Sequence, residues 1–152
     1  MKICANENQN LFSVKNRNRT MTKLSKVKKL HKKVFQLFHY EYDEKNYLRD
    51  EHWTSHADAV LENKDFSDDC DGFALTCCEL LLQDGFDRTQ VKAIICDTET
   101  GESHLVCGVD IDETTYILDN RYDYVFDWSK KRDYTWRYYK VFSMTDKWFQ
   151  VT

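Results

Sequence analysis

The chain has 152 residues, a formal net charge of -4 and a composition that is 41% hydrophobic and 14% aromatic. This is enough large apolar surface for one folded domain, and it excludes disorder throughout the chain. The absence of Pro and the presence of only 4 Gly exclude a glycine-rich phosphate loop, and no apolar run approaches the roughly 18 residues of a membrane span.

The modest net charge hides two oppositely charged parts of the chain. Residues 1–39 contain 10 Lys or Arg and one acid, for a local charge of +9, whereas residues 40–152 contain 12 basic and 25 acidic residues, for -13. Residues 1–20 are polar and Asn-rich without a hydrophobic period, so we expect a flexible, basic arm. They contain no apolar run of the signal-peptide type, so we expect a cytoplasmic protein whose 6 Cys are reduced.

The first predicted element is a basic amphipathic helix over residues 21–39. From Leu24 to Phe38, apolar residues recur every three or four positions, which is typical of a helix with one buried face. The other faces carry lysines, namely Lys23, Lys26, Lys28, Lys29, Lys32 and Lys33. We interpret residues 21–152 as a single domain. We expect the helix to dock on the acidic body of that domain or on an anionic partner such as nucleic acid or a membrane surface.

A second helix is predicted from Asp68 to Gly85, with Cys70 in its first turn. Asp68 or Asp69 would cap the helix, and Gly85 suits the left-handed residue after its end. The unpaired N–H groups of a helix start lower the pKa of a thiol there, which favours a nucleophilic Cys70. Nearby carboxylates oppose this effect because they repel a thiolate. These carboxylates belong to Asp65, Asp68, Asp69 and Asp71.

Three strands are predicted after this helix, over residues 91–96, 104–109 and 114–118, and they form an antiparallel meander. A four-residue connection would pair Val109 with Thr114 and place His104 directly opposite Asp119, with Cβ atoms roughly 5 Å apart. The Asp119 carboxylate would then accept an imidazole N–H and leave the other ring nitrogen for the Cys70 thiol. The sequence therefore predicts a Cys-His-Asp triad.

Two other interpretations compete with the triad. Taken alone, Cys70 fits a core thiol, His104 a hydrogen-bonded core histidine and Asp119 a strand-end turn. A zinc site would instead draw on Cys70, Cys77, Cys78, His104 and Cys107. We disfavour zinc because His104 and Cys107 leave opposite faces of a strand, and because the two adjacent Cys diverge by about 100 degrees on a helix.

Several short motifs carry a resemblance to a known family. They are Trp53-Thr54, Asp69-Cys70-Asp71 with Phe73-Ala74, Ser103-His104-Leu105-Val106, Leu118-Asp119-Asn120, and Val141-Phe142-Ser143-Met144 with Trp148. In order and spacing they resemble the bacterial transglutaminase-like cysteine proteinases, the LapG-like branch of the papain and transglutaminase superfamily, over roughly residues 50–152. The resemblance implies an α+β fold in which the catalytic Cys begins a central helix packed on a small antiparallel sheet that carries His and Asp.

The resemblance also implies roles for individual residues. It makes Cys70 the nucleophile, His104 the general base and then acid, and Asp119 the residue that orients His104. It implicates the acids beside the nucleophile, Asp69 and Asp71, in binding calcium, although the chemistry itself requires no cofactor.

From these residues we expect a thiol hydrolase that acts on peptide or side-chain amide bonds of a protein or peptide substrate through an acyl-enzyme. Trp53 is the candidate for a second oxyanion donor beside the backbone N–H of Cys70. A deamidase or transglutaminase would share this apparatus, and a catalytically silent binding module would share the fold. The chain departs from the family pattern at Asp68, where Gly is usual, and at Gly72, where an acid is usual.

Overall fold

The computed structural model of the protein describes residues 22–42, 54–143 and 146–152, so the predicted arm over residues 1–20 and Trp53 lie outside it. The described helices are α1 (Lys23–Leu37), α2 (Ala57–Leu61) and α3 (Cys70–Gln83), with 3₁₀ turns at Arg88–Gln90 and Trp128–Lys130. The strands are β1 (Phe38–Tyr40), β2 (Phe66–Asp68), β3 (Val91–Asp97), β4 (Ser103–Ile111), β5 (Thr114–Leu118), β6 (Phe126–Asp127), β7 (Thr135–Val141) and β8 (Phe149–Gln150). None of the described helices has the length and apolar character that crossing a membrane requires.

The strands form two separate sheets. β1 and β2 make a short parallel pair. The other six strands form a sheet in the order β6-β5-β4-β3-β7-β8, and the described pairs within it are antiparallel. The predicted meander is confirmed, because β3 pairs with β4 and β4 pairs with β5. Helices layered on a mainly antiparallel sheet make this the α+β class that the sequence predicts.

α1 is attached to the rest of the protein by its apolar stripe. Thr22 caps the helix by accepting the N–H of Ser25 at 3.1 Å. Val27, His31 and Val34 are buried, and the helix packs on α3. Its lysines are exposed, and across the described ranges no ion pair joins one of them to an acid. Docking of the basic face on the acidic body is therefore not supported.

α3 is the central helix and begins at the predicted nucleophile. Asp69 caps it by accepting the N–H groups of Asp71 and Gly72 at 3.0 and 3.4 Å, and Gly85 follows its end with a left-handed φ of 95°. Most of the helix is buried between α1 on one side and β3 and β4 on the other. The buried residues are Gly72, Phe73, Ala74, Leu75, Thr76, Cys77, Cys78, Leu80 and Leu81.

The turn between β4 and β5 corrects the predicted register. Ile111 pairs with Thr114, so the connection has two residues rather than four, and both have positive φ, 49° at Asp112 and 68° at Glu113. This is the geometry of a tight hairpin turn that usually contains Gly or Asn. The predicted direct pairing of His104 with Asp119 was wrong. When the observed register of β4 and β5 is extended, Asp119 lies two residues from the position opposite His104. A shift of two residues keeps a side chain on the same face of a sheet, so the two still meet.

Candidate active site

His104 and Asp119 form a buried hydrogen-bonded pair at the end of β5. His104 Nε2 donates to Asp119 Oδ1 at 2.7 Å, and the two side chains are 7% and 0% exposed. Burial alone would raise the pKa of Asp119, but the hydrogen bond and charge of His104 outweigh burial, with help from neighbouring donors, and the pKa is lowered. The ionised carboxylate engages Nε2, so Nδ1 is the ring nitrogen available to another group.

Cys70 lies at the first position of α3 and is half-buried. Its Sγ donates to Asp71 Oδ1 at 3.6 Å and packs in an apolar cluster with Leu105, the residue after His104. Burial raises the pKa of the Cys70 thiol well above its usual value, and the Asp71 and Asp69 charges raise it further, although the backbone N–H of Leu105 lowers it. These shifts favour the neutral thiol over the thiolate, because burial and the carboxylate charges oppose the effect of the helix start.

The three predicted residues are only partly brought together. His104 and Asp119 are in direct contact. Cys70 is adjacent to the same strand through Leu105, but across the described residues its thiol hydrogen-bonds to Asp71 and not to the His104 ring. A thiol next to a buried His-Asp pair would be suited to acyl transfer if it turned toward the imidazole.

The acidic turn before Cys70 is in contact with a histidine. His56 Nε2 lies 2.7 Å from Asp68 Oδ2, and Asp68 Oδ1 accepts the N–H of Asp69 at 2.7 Å. Burial and the Asp71 and Asp68 charges raise the pKa of Asp69 to about 6. His56 thus gives one carboxylate of this crowded turn a hydrogen-bonding partner, and it carried no signal in the sequence.

The structure offers a polar group near the thiol that sequence analysis missed. Tyr40 is paired in register with Asp68, two residues before the nucleophile. Burial raises its pKa, and the Asp69 charge raises it further; Cys70 is also close enough to interact electrostatically with the phenol. The predicted oxyanion donor, Trp53, lies outside the described residues and stays a prediction.

Three further residues surround the His-Asp pair and were also missed. The Tyr134 hydroxyl donates to Asp119 Oδ2 at 2.8 Å, and the backbone N–H of Arg121 donates to Oδ1 at 3.0 Å. His31 of α1 donates to the Asp119 carbonyl oxygen at 3.0 Å. Only His31 left a trace in the sequence, as a polar side chain in an apolar helical stripe. The others approach through chain segments whose placement depends on the folded sheet.

The described residues do not by themselves complete a calcium site. Calcium takes six to eight oxygen ligands, whereas the predicted pair Asp69 and Asp71 offers two carboxylates, already engaged with helix N–H groups and with the Cys70 thiol. Within residues 22–42, 54–143 and 146–152, no group of three or more His, Cys, Asp or Glu is arranged to hold a metal. The zinc alternative is not supported either, and Cys77 and Cys107 are buried free thiols.

Comparisons with known proteins place these observations in a family. The model for bacterial transglutaminase-like cysteine proteinases (BTLCP) matches residues 1–152. Calcium-bound LapG of Legionella pneumophila superposes with a TM-score of 0.65 at 20% identity, covering 82% of this chain and 67% of LapG. The EGTA-treated form gives a TM-score of 0.64 at 20% identity, over 83% and 66%. The chain thus spans about two thirds of LapG, and no curated protein sequence matches it.

Proposed function

Because this chain belongs to the bacterial transglutaminase-like cysteine proteinase family, we propose that it is a thiol hydrolase that cleaves amide bonds of proteins or peptides. The observation that supports this best is the buried 2.7 Å contact between His104 and Asp119, one residue along β4 from the Leu105 N–H that meets Cys70. A nucleophile, a base and an orienting carboxylate are the three parts that acyl transfer by a thiol needs.

The proposed reaction proceeds through an acyl-enzyme. Cys70 Sγ attacks the substrate carbonyl carbon and its proton passes to His104; the C–N bond then breaks and His104 returns the proton to the leaving amine. Water next attacks the thioester while His104 accepts its proton, and the carboxylic acid leaves as the thiol is restored. The backbone N–H of Cys70 and the indole N–H of Trp53 are the proposed oxyanion donors.

Before the first step the Cys70 thiol must change partner. Its resting hydrogen bond is to Asp71, a group that disfavours the thiolate because it is itself negatively charged. We propose that binding of substrate beside Asp71 turns Sγ toward the free nitrogen of His104. Asp119 keeps the ring in orientation throughout and stabilises the imidazolium that forms.

Alkylation by iodoacetamide at neutral pH tests the assignment. Cys70 should react at least ten times faster than the other five thiols, as read by peptide mapping, and His104→Ala should slow it at least tenfold. His39→Ala is the matched control, because His39 is exposed and its partner among the described residues is the exposed Asp65. Partial exposure alone would favour Cys70 over buried thiols, so dependence on His104 is the decisive result. Equal rates in the wild type and in His104→Ala would refute the proposal.

A catalytically silent binding module is the second candidate, and a specific observation favours it. The neutral, Asp71-bonded Cys70 thiol is a poor nucleophile unless His104 deprotonates it. In a silent module, alkylation of Cys70 would be slow and independent of His104. Deamidation and cross-linking share the proposed triad with proteolysis, and release of ammonia from Gln side chains, compared with the appearance of new peptide termini, separates them.

Calcium binding, location and partners are separate proposals. LapG of Legionella pneumophila has a calcium-bound and an EGTA-treated structure. We therefore propose Asp69 and Asp71 as carboxylates that would contribute to a calcium site here, and no step above depends on the ion. We also propose a cytoplasmic location.

The exposed lysines of α1 support an anionic partner for that helix. An assay of binding at increasing salt concentrations would detect such a partner.

A further inference from the structure

Tyr134 is a buried tyrosine whose hydroxyl lies between an anion and a cation. Its side chain is 4% exposed. The hydroxyl donates to Asp119 Oδ2 at 2.8 Å and accepts from Arg121 Nη1 at 2.8 Å. Tyr134 also touches the imidazole, since its ring meets the His104 ring edge-on with centroids 6.2 Å apart. The tyrosine therefore contacts both members of the His-Asp pair.

The direction of the Tyr134 hydrogen bonds is determined by Arg121. A guanidinium has only donors, so the Tyr134 oxygen must accept from it, and the phenol proton is then directed to the carboxylate. Arg121 is itself held in place by Glu99, to which it donates through Nη1 at 2.9 Å. The result is a chain of hydrogen bonds from the exposed Glu99 through Arg121 and Tyr134 to the buried Asp119.

This series of hydrogen bonds fixes the orientation of the Asp119 carboxylate. Oδ1 accepts from His104 at 2.7 Å and from the N–H of Arg121 at 3.0 Å, whereas Oδ2 accepts from Tyr134. Both oxygens are thus engaged by donors on opposite sides, and rotation of the carboxylate would break at least two hydrogen bonds in a site that water does not reach.

From this geometry we infer that Tyr134 is a positioning residue for the reaction: it holds the Asp119 carboxylate so that Oδ1 stays on His104. The inference rests on the proposed function, because it presumes that His104 deprotonates Cys70. Without the hydroxyl, Oδ2 would be a buried acceptor that no other donor of the described residues contacts, and the carboxylate would reorient. The imidazolium formed when Cys70 loses its proton would then be less stable.

The test is the pH dependence of Cys70 alkylation by iodoacetamide in Tyr134→Phe. We expect the rate at pH 7 to fall about tenfold, the effect typical of losing one hydrogen bond to a charged group, and the inflection of the profile to move to higher pH. Tyr122→Phe is the matched control. Its ring lies in the same aromatic cluster and its hydroxyl bonds Lys131, so it should stay within twofold of the wild type.

A second comparison separates positioning from general support of the fold. In an Asp119→Asn background, Tyr134→Phe should cause little further slowing, because the two changes remove parts of one interaction. Full additivity, or Tyr134→Phe matching Tyr122→Phe, would overturn the inference. If Tyr134→Phe does not fold, Arg121→Gln serves instead: it removes the donor that orients the hydroxyl and should slow alkylation severalfold, and an unchanged rate again overturns it. If His104→Ala leaves wild-type alkylation unchanged, the proposed function itself fails.

Discussion

His31 Nε2, on the first helix, donates a hydrogen bond to the backbone carbonyl of Asp119 at 3.0 Å, across 88 residues of sequence. His31 is 1% exposed, and its ring packs edge-to-face against the Phe73 ring of α3, with ring centroids 5.7 Å apart. Burial lowers the pKa of His31, which keeps the ring neutral, although the Asp119 carbonyl and charge act in the opposite direction. The basic helix is therefore joined to the candidate site through its buried face.

Replacing His31 tests this link and its pH dependence. We expect His31→Leu to lower the free energy of unfolding by about 1–3 kcal/mol, because it removes the shorter of two hydrogen bonds to the buried Asp119 carbonyl and leaves the 3.4 Å bond from the N–H of Tyr122. His31→Gln keeps a side-chain N–H donor and should lower the free energy of unfolding by less than His31→Leu does. Chemical denaturation at pH 7 measures both.

The same residue should make stability fall with acid. The folded-state pKa of His31 lies below its unfolded value of 6.5, so protonation favours the unfolded chain, and stability is lost as pH falls from about 6.5 toward the folded-state pKa. Asp69, with its pKa raised to about 6, contributes the opposite trend. The contribution of Asp69 cancels when the free energy of unfolding of His31→Gln is subtracted from that of the wild type. If this difference in free energy stayed constant between pH 7 and 5, the prediction would be contradicted.

Gly72 is required by the side chain of Asp68. A Cβ at position 72 would lie 2.1 Å from Asp68 Oδ2 and 2.5 Å from its Cβ, so the helix cannot accept a larger residue without moving β2. Gly→Ala inside a helix ordinarily gains up to about 1 kcal/mol. We expect Gly72→Ala instead to lower the free energy of unfolding by about 1–3 kcal/mol.

Gly108→Ala is the natural comparison for Gly72→Ala. There the added methyl would meet the tip of Ile94, Cδ1, at 2.5 Å, and a flexible end can move at lower cost than a backbone-proximal Cβ. Urea denaturation should rank Gly72→Ala as the more damaging change, and Asp68→Gly should reduce the cost of Gly72→Ala. Equal losses at the two glycines would show that Asp68 is not the obstacle.

Removing the charge of Asp119 should impair the site without unfolding the protein. Asp119→Asn preserves shape but no longer stabilises an imidazolium at His104, so we expect hydrolysis to fall by about 10²–10⁴-fold, as orienting carboxylates in triads generally show. Turnover of a responsive peptide substrate and far-ultraviolet circular dichroism measure activity and fold. Asp123→Asn, a change at an exposed acid, is the control, and similar activity in the two variants would count against the triad.

Calcium removal distinguishes chemistry from metal dependence. Two carboxylates, Asp69 and Asp71, fall short of the ligands calcium takes, and the proposed steps do not use the ion. We therefore expect the rate of His104-dependent alkylation of Cys70 to differ less than twofold between about 1 mM EGTA and about 1 mM free calcium. These two conditions lie on either side of the calcium affinities typical of sensor proteins. A large loss in EGTA, abolished in Asp69→Asn, would instead assign calcium a necessary role.

Local sequence was sufficient for α1, for α3 and for the three-strand meander. The period of α1, the Asp69 cap and Gly85 at the end of α3, and the strand patterns depend on neighbouring residues alone, so a single sequence carries them. The family resemblance depends on the same local motifs and is confirmed by the full-length match.

Tertiary structure decided the register, the protonation of the thiol and the support of the His-Asp pair. The Asp112-Glu113 turn lacks Gly, so nothing local announced a two-residue hairpin; the pair survived the error because side chains alternate with a period of two. Burial, which is a property of the whole fold, raises the pKa of the Cys70 thiol. Tyr134 and His31 reach Asp119 only because the sheet and α1 are packed together, and contacts between distant segments leave no periodic trace in sequence.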